Sequence, residues 1–138
     1  NKNNSANPPG SAMRREKTMR EQDFNPAITK DILITSSLDC TARAWSVQLG
    51  RSLNIYHGHT AAITCICLDK LDATLFTSSA DNTIKSWQID TGELLTVFKG
   101  HEAAVLSIKY YKNMLYSSSA DHTIRVWATD FGECTRVF

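Results

Sequence analysis

The sequence has no long apolar run: nothing approaches the roughly 18 residues that a membrane-crossing helix needs. Its opening stretch, NKNNSANPPGSAMRREK, lacks the apolar centre of a secretion signal. Net charge is nearly absent, at +1 over 138 residues, so no strong field points to nucleic acid or a membrane surface as partner. Cys40, Cys65, Cys67 and Cys134 are too scattered for a disulfide framework. They read as buried thiols in a reducing compartment, which implies a cytoplasmic or nuclear location. Cys65-x-Cys67 has a single intervening residue and no second pair nearby, so neither a metal site nor a cofactor is expected. The chain opens on Asn rather than Met and reads as an excerpt from a longer protein.

What is present is a period. Apolar residues make up 42% of the chain, enough for a core, and they recur in register with their polar neighbours. ILITSSLDCTARAWSV (32–47), LFTSSADNTIKSWQI (75–89) and LYSSSADHTIRVWAT (115–129) align. Trp45, Trp87 and Trp127 are 42 and 40 residues apart, and so are Asp39, Asp81 and Asp121, and Gly50, Gly92 and Gly132. Gly58-His59 and Gly100-His101 stand 42 apart. His59 precedes Asp81 by 22 positions and His101 precedes Asp121 by 20, which places a shorter hairpin between the first two strands of the third repeat.

Within the second repeat, Ile63, Ile66 and Leu68 mark an apolar first strand, followed by strands at 74–79, 83–89 and 94–98. Turn residues separate them: Asp81-Asn82, Asp90-Thr91-Gly92-Glu93, and Gly100-His101. No helical period runs through this region. Four antiparallel strands about every 40 residues make the blade of a β-propeller. Residues 1–27 are set apart as a polar tail or inter-strand insertion, and 28–138 as blades at about 28–57, 58–99 and 100–138. The charges around Arg14-Arg15-Glu16-Lys17 allow a short partner-docking helix as the alternative for that tail, and their mixed signs argue against nucleic acid.

The Gly-His pair, the Asp about 20 residues later and the Trp six beyond it resemble the WD-repeat signature, over about 32–138. No repeat contains the Trp-Asp dipeptide: Ser46, Gln88 and Ala128 follow the Trp. The resemblance implies an all-β propeller fragment of three consecutive four-stranded antiparallel blades, the first and last incomplete. Phe138 aligns with Phe98, so the last strand is expected to stop short, and the first strand of the first blade should lie just before Ile32. The resemblance also implies a hydrogen-bonded tetrad in each blade. One set is His59, Asp81 and Trp87 with Thr77 or Ser79, and the next is His101, Asp121 and Trp127 with Ser117 or Ser119. The paired hydroxyl residues lie on one strand face and remain alternatives. Asp39 and Trp45 belong to a set that has lost its His.

A Ser, a His and an Asp per repeat also match the composition of a hydrolase triad. A triad serves one site, whereas a set copied in every blade belongs to the blade, because a buried indole N–H, imidazole and carboxylate must each find a partner. No catalytic residue is therefore expected. His57 and His122 fall off the period, His122 in the turn position of Cys40 and Asn82.

The function implied by the resemblance is a non-catalytic scaffold or adaptor for other proteins or peptides. The alternative is the substrate-recognition subunit of a ubiquitin ligase. Such propellers often carry an Arg three residues after the Trp, where this chain has Gln48, Asp90 and Asp130. An enzyme is the third class, and no unrepeated acid/base cluster favours it. By resemblance, the partner-binding rim comprises Leu38, Ala80 and Ala120 before the turn Asp, with Ala61, Ala62, Thr64, Ala103, Ala104 and Leu106 near the first strands. Small and apolar residues there suit an apolar or backbone contact. Three blades leave open edges, so closure by further blades is expected, with self-association as the alternative.

Overall fold

The computed structural model describes residues 31–138 except 70 and 72. The tail, its alternative helix and the strand expected before Ile32 lie outside the described residues. Apolar and β-branched runs between the turns form three antiparallel sheets. The first holds β1 (Ile32–Ser36), β2 (Ala42–Ser46) and β3 (Arg51–Tyr56). The second holds β4 (Ile63–Asp69), β5 (Thr74–Ser79), β6 (Ile84–Gln88) and β7 (Leu94–Phe98). The third holds β8 (Val105–Tyr111), β9 (Met114–Ser119), β10 (Ile124–Ala128) and β11 (Glu133–Val137). No described residue lies in a helix, so none of these residues belongs to a helix long and apolar enough to cross a membrane.

The turns explain why the strands pair in sequence. Asp81 Oδ1 accepts from the Thr83 N–H at 2.9 Å and the Thr83 hydroxyl at 2.6 Å, while the Ser79 hydroxyl accepts the Asp81 N–H at 3.0 Å. Asp39 with Thr41 and Asp121 with Thr123 repeat that lock. The residue between, Cys40, Asn82 or His122, is left-handed, with φ of 70, 70 and 68°. Short polar side chains tolerate that region best, which makes Asn82 the least strained of the three.

The shorter hairpin falls between β8 and β9. Tyr111 pairs directly with Met114 across Lys112 and Asn113, whose φ values of 50 and 59° are those of a two-residue turn matched to strand twist. Bulges recur as faithfully as the turns. Register slips beside each Trp against the closing strand, and again at Thr64 in β4 and Leu106 in β8. Each extra residue bends its strand and increases the local twist.

The third sheet departs from expectation. β11 is as long as β7, and Phe138 exchanges backbone hydrogen bonds of 2.8 and 2.9 Å with Ile124, as Phe98 pairs with Ile84. The fourth strand therefore has its full pairing, and the sheet with fewer described strands is the first.

The core lies between sheets. Ala42, Ala44 and Tyr56 of the first pack on Ile63, Leu75 and Trp87 of the second. Phe76, Ile84 and Phe98 of the second pack on Val105, Ile108, Leu115 and Trp127 of the third. Large side chains buried this way contribute about 1.5–3 kcal/mol each. Polar stitches join the same faces: the Thr64 hydroxyl donates to Val105 O at 2.6 Å, and the Ile63 N–H to Ser37 O at 3.2 Å. The outer face of the third sheet repeats this apolar set without a cover. Phe98 is 1% exposed and its equivalent Phe138 is 69% exposed; Ile124 and Tyr116 likewise stand open.

The expectation of buried thiols needs correction. Cys65 and Cys67 are partly buried against the second interface, and burial pushes the Cys67 thiol up to about 12. Cys134 is exposed because β11 is an outer strand with open faces, and Cys40 sits half-buried in a turn.

Candidate functional site

Each tetrad is assembled from four consecutive pieces of chain. In the second blade the approach to β4 supplies His59, β5 supplies Thr77, the following turn Asp81, and β6 Trp87. His59 Nδ1 lies 2.7 Å from Asp81 Oδ2 and Nε2 lies 2.8 Å from the Thr77 hydroxyl, which also accepts the Trp87 indole N–H at 2.9 Å. One direction of donation satisfies all four groups: indole to Thr77, Thr77 to Nε2, and Nδ1–H to Asp81. The Thr60 N–H adds a bond to Asp81 at 3.0 Å. The third blade repeats the chain with His101 at 2.7 Å from both Asp121 and Ser117, and Trp127 donating to Ser117 at 2.8 Å.

The electrostatics agree with a neutral imidazole. Burial pushes the His59 pKa below its ordinary value, and the contact with Asp81 offsets only part of that. Burial pushes the Asp81 carboxyl up, but donors from Thr83, His59 and the Thr60 N–H outweigh it and hold the group at about 2. Asp121 is held well below the carboxylate range for the same reason, with Thr123, His101 and Glu102 as donors. The His59–Asp81 contact is thus a hydrogen bond from neutral imidazole to carboxylate.

By distances alone, Ser117, His101 and Asp121 have the connectivity of a hydrolase triad. Accessibility decides otherwise: Ser117 is 2% and Thr77 0% exposed, and each hydroxyl already accepts an indole N–H. A nucleophile must meet its substrate, and neither oxygen can. Among the described residues, no group of three or more His, Cys, Asp or Glu is placed to hold a metal ion.

The geometry chooses between the paired hydroxyls. Thr77 and Ser117 join the tetrads, while Ser79 and Ser119 donate to Ala61 O and Ala103 O at 2.9 and 3.0 Å. In the first blade Trp45 donates to the Thr35 hydroxyl at 2.9 Å, and Asp39 holds its own turn through Thr41. Hydrogen bonds from Thr41, first from its side chain, keep the Asp39 carboxyl below its usual value.

Sequence reasoning missed the threonines Thr41, Thr83 and Thr123, although Asp-x-Thr recurs in all three repeats. It also missed why Gly precedes His. At Gly58 φ is +145°, and a Cβ would stand 3.2 Å from the Trp87 ring, so glycine lets the chain pass over the indole edge.

The rim residues are gathered by the same turns. Ala80 N–H bonds Ala62 O and Ala120 N–H bonds Ala104 O, both at 2.9 Å, which sets each turn against the approach to its first strand. Ala80, Ala120 and Leu38 are exposed, Leu38 at 84%; Ala61, Ala62, Ala103 and Ala104 are half-buried. Thr64 and Leu106 occupy the bulge position, from which Thr64 reaches Val105 of the next blade. Leu106, without a described neighbour there, stands exposed.

The family model for the WD domain, G-beta repeat, matches residues 50–88 and 92–128, more than half of the chain. This chain belongs to the WD-repeat family. Such repeats form β-propeller blades and generally serve as platforms for protein–protein interaction, without catalysis of their own. Among solved structures, the WD-repeat chain is similar to the computationally designed Ika8 protein, with 33% identity and a TM-score of 0.69, over 76% of this chain and 33% of that one. It is also similar to the computationally designed Ika4 protein, with 30% identity and a TM-score of 0.73, over 80% of this chain and 68% of that one. The chain therefore spans about a third of the length of Ika8. No curated protein matches it.

Proposed function

We propose that this chain is a non-catalytic adaptor whose partners meet the rim carrying Leu38, Ala80 and Ala120. The supporting observation is the contrast between the polar sets and that rim. Every tetrad hydroxyl, imidazole and carboxylate in the second and third blades bonds within its own blade. The rim, by comparison, offers exposed small and apolar side chains in the same place on three successive blades. A rigid surface of that composition suits an extended or apolar segment of another protein, held by backbone contacts and shallow apolar ones.

Affinity capture with the full-length protein as bait, beside an Ala80→Arg/Ala120→Arg double variant, tests this reading. Both substitutions lie on exposed turn positions, so the variant should melt like the parent. Loss of the specific partners from the variant supports the rim. Partners that persist on a folded double variant place the contact elsewhere and overturn the assignment.

A further inference from the structure

The two interfaces between sheets share one recurring pair of rings. Tyr56 of the first sheet meets Trp87 of the second with centroids 5.9 Å apart, and Phe98 of the second meets Trp127 of the third at 6.0 Å. The next ring in that series is Phe138, and the remaining Trp is Trp45. Phe138 stands open on the outer face of the third sheet, and Trp45 is half-buried on the first.

The residues around each ring follow the same rule. Phe76, Ile84 and Phe98 present the second sheet to the third, and by the period Tyr116, Ile124 and Phe138 present the third sheet outward. On the receiving side, Leu75 pairs with Trp87 and Leu115 with Trp127, as Leu33 pairs with Trp45. Leu75 and Leu115 are fully buried, whereas Leu33 is 54% exposed. The third sheet thus carries the presenting face of a sheet-to-sheet interface and the first sheet the receiving one.

The polar ends match as well. Where the first sheet meets the second, the Asn54 amide donates to Ile89 O and Asp90 O, both at 2.8 Å, and the Tyr56 hydroxyl donates to Ile89 O at 2.9 Å. The period puts Arg136 at the Asn54 position, and Val47 and Gln48 at those of Ile89 and Asp90. A guanidinium has N–H donors enough for two carbonyls, and Arg136 forms no ion pair among the described residues. Beside it a groove of about 340 Å³, lined by Tyr116, Val126 and Phe138 among others, lies open on the outer face.

We infer that the third sheet of one copy docks on the first sheet of a second copy, with Phe138 against Trp45 and Leu33 and Arg136 on the carbonyls of Val47 and Gln48. A contact between two different faces repeats until it closes. Each copy brings three described sheets, and propellers close at about four to eight blades, so two copies close a ring of six through two identical contacts.

Sedimentation velocity of the chain from about 1 μM to 1 mM, the span of moderate to weak association, tests this. The chain should sediment at twice the mass of one copy. Trp45 emission should shift to the blue as the dimer forms, Trp87 and Trp127 being buried already. Phe138→Asp and Leu33→Asp each spoil both contacts of the ring, and each should raise the dissociation constant about tenfold or more. Both positions are exposed, so each variant should keep the far-UV circular dichroism of the parent. An equimolar mixture of the two variants should dimerise again, because one contact then joins two intact faces. Arg136→Ala should weaken association severalfold, and it remains informative if an Asp variant does not fold. A monomer throughout the range leaves the face to a partner of other sequence and overturns the proposal. So does mass that grows past the dimer, or a dimer that survives Leu33→Asp, the mark of two third sheets meeting face to face. Absence of recovery in the mixture of folded variants overturns it equally.

Discussion

Replacing Thr77 with Val removes one oxygen from the centre of the second blade and keeps the shape of the side chain. That oxygen accepts the Trp87 N–H at 2.9 Å and faces His59 Nε2 at 2.8 Å, and all three side chains are buried. Two polar atoms are stranded where water cannot reach them, at about 1–3 kcal/mol each. The expected loss is therefore roughly 2–6 kcal/mol, a large share of the 5–15 kcal/mol typical of a domain. At roughly 4 °C per kcal/mol for a chain of this size, the melting temperature should fall by about 8–24 °C. Urea unfolding followed by far-UV circular dichroism gives the value directly. A double-mutant cycle sharpens it: in a Trp87→Phe background the indole donor is already gone, so Thr77→Val should cost about 1 kcal/mol less. A loss below ~0.5 kcal/mol, or the same loss with and without the indole, would refute the tetrad as a coupled network.

Other consequences are equally measurable. Trp87→Ala should cost about 3–5 kcal/mol in the same assay, since it empties the centre of the first interface. The chain should lose stability on acidification. The folded pKa of His59 is lowered from 6.5, so the unfolded chain takes up the proton first, and stability complete above pH 6.5 declines as pH falls below it. Asp81, lowered from 3.8 to about 2, removes more as pH falls from 3.8 toward 2. A urea midpoint that stays flat between pH 8 and pH 5 contradicts the His59 part. Gly58→Ala should destabilise by about 1–2 kcal/mol, because the new Cβ meets the Trp87 ring at 3.2 Å from a backbone that L residues disfavour. Gly50→Ala, with nothing within 4 Å of its Cβ at φ +61°, should show the backbone part alone.

The features legible in the sequence are those whose chemistry recurs. Asp81, Asp121 and their Trp partners are fixed by a geometry that tolerates few substitutes, so they return in register, and β5 and β7 fall where alternation and turn residues put them. Hidden features have other causes. Thr77 and Ser79 share a strand face, and only the position of the His59 ring separates their roles. The bulges at Thr64 and Leu106 shift register without changing composition, so no pattern announces them. Asn54 and Tyr56 bridge one interface alone, and a contact that occurs once leaves no period to find. Leu38, Ala80 and Ala120 are gathered on one rim by turns the sequence did show, while Leu106 owes its exposure to an uncovered face that only the packing reveals.

The packing between sheets makes stability a nearest-neighbour quantity. The second blade is buttressed on both sides, through Trp87 on one and Phe98 on the other, whereas each outer blade has one described neighbour. Among the described sheets, amide exchange should be slowest in the second, with β5 and β6 opening last. A substitution in the second blade then weakens two couplings at once, and one in β11 weakens none with the other described sheets. A substitution at Trp87 or Phe98 should therefore be felt in a neighbouring sheet as well as in its own.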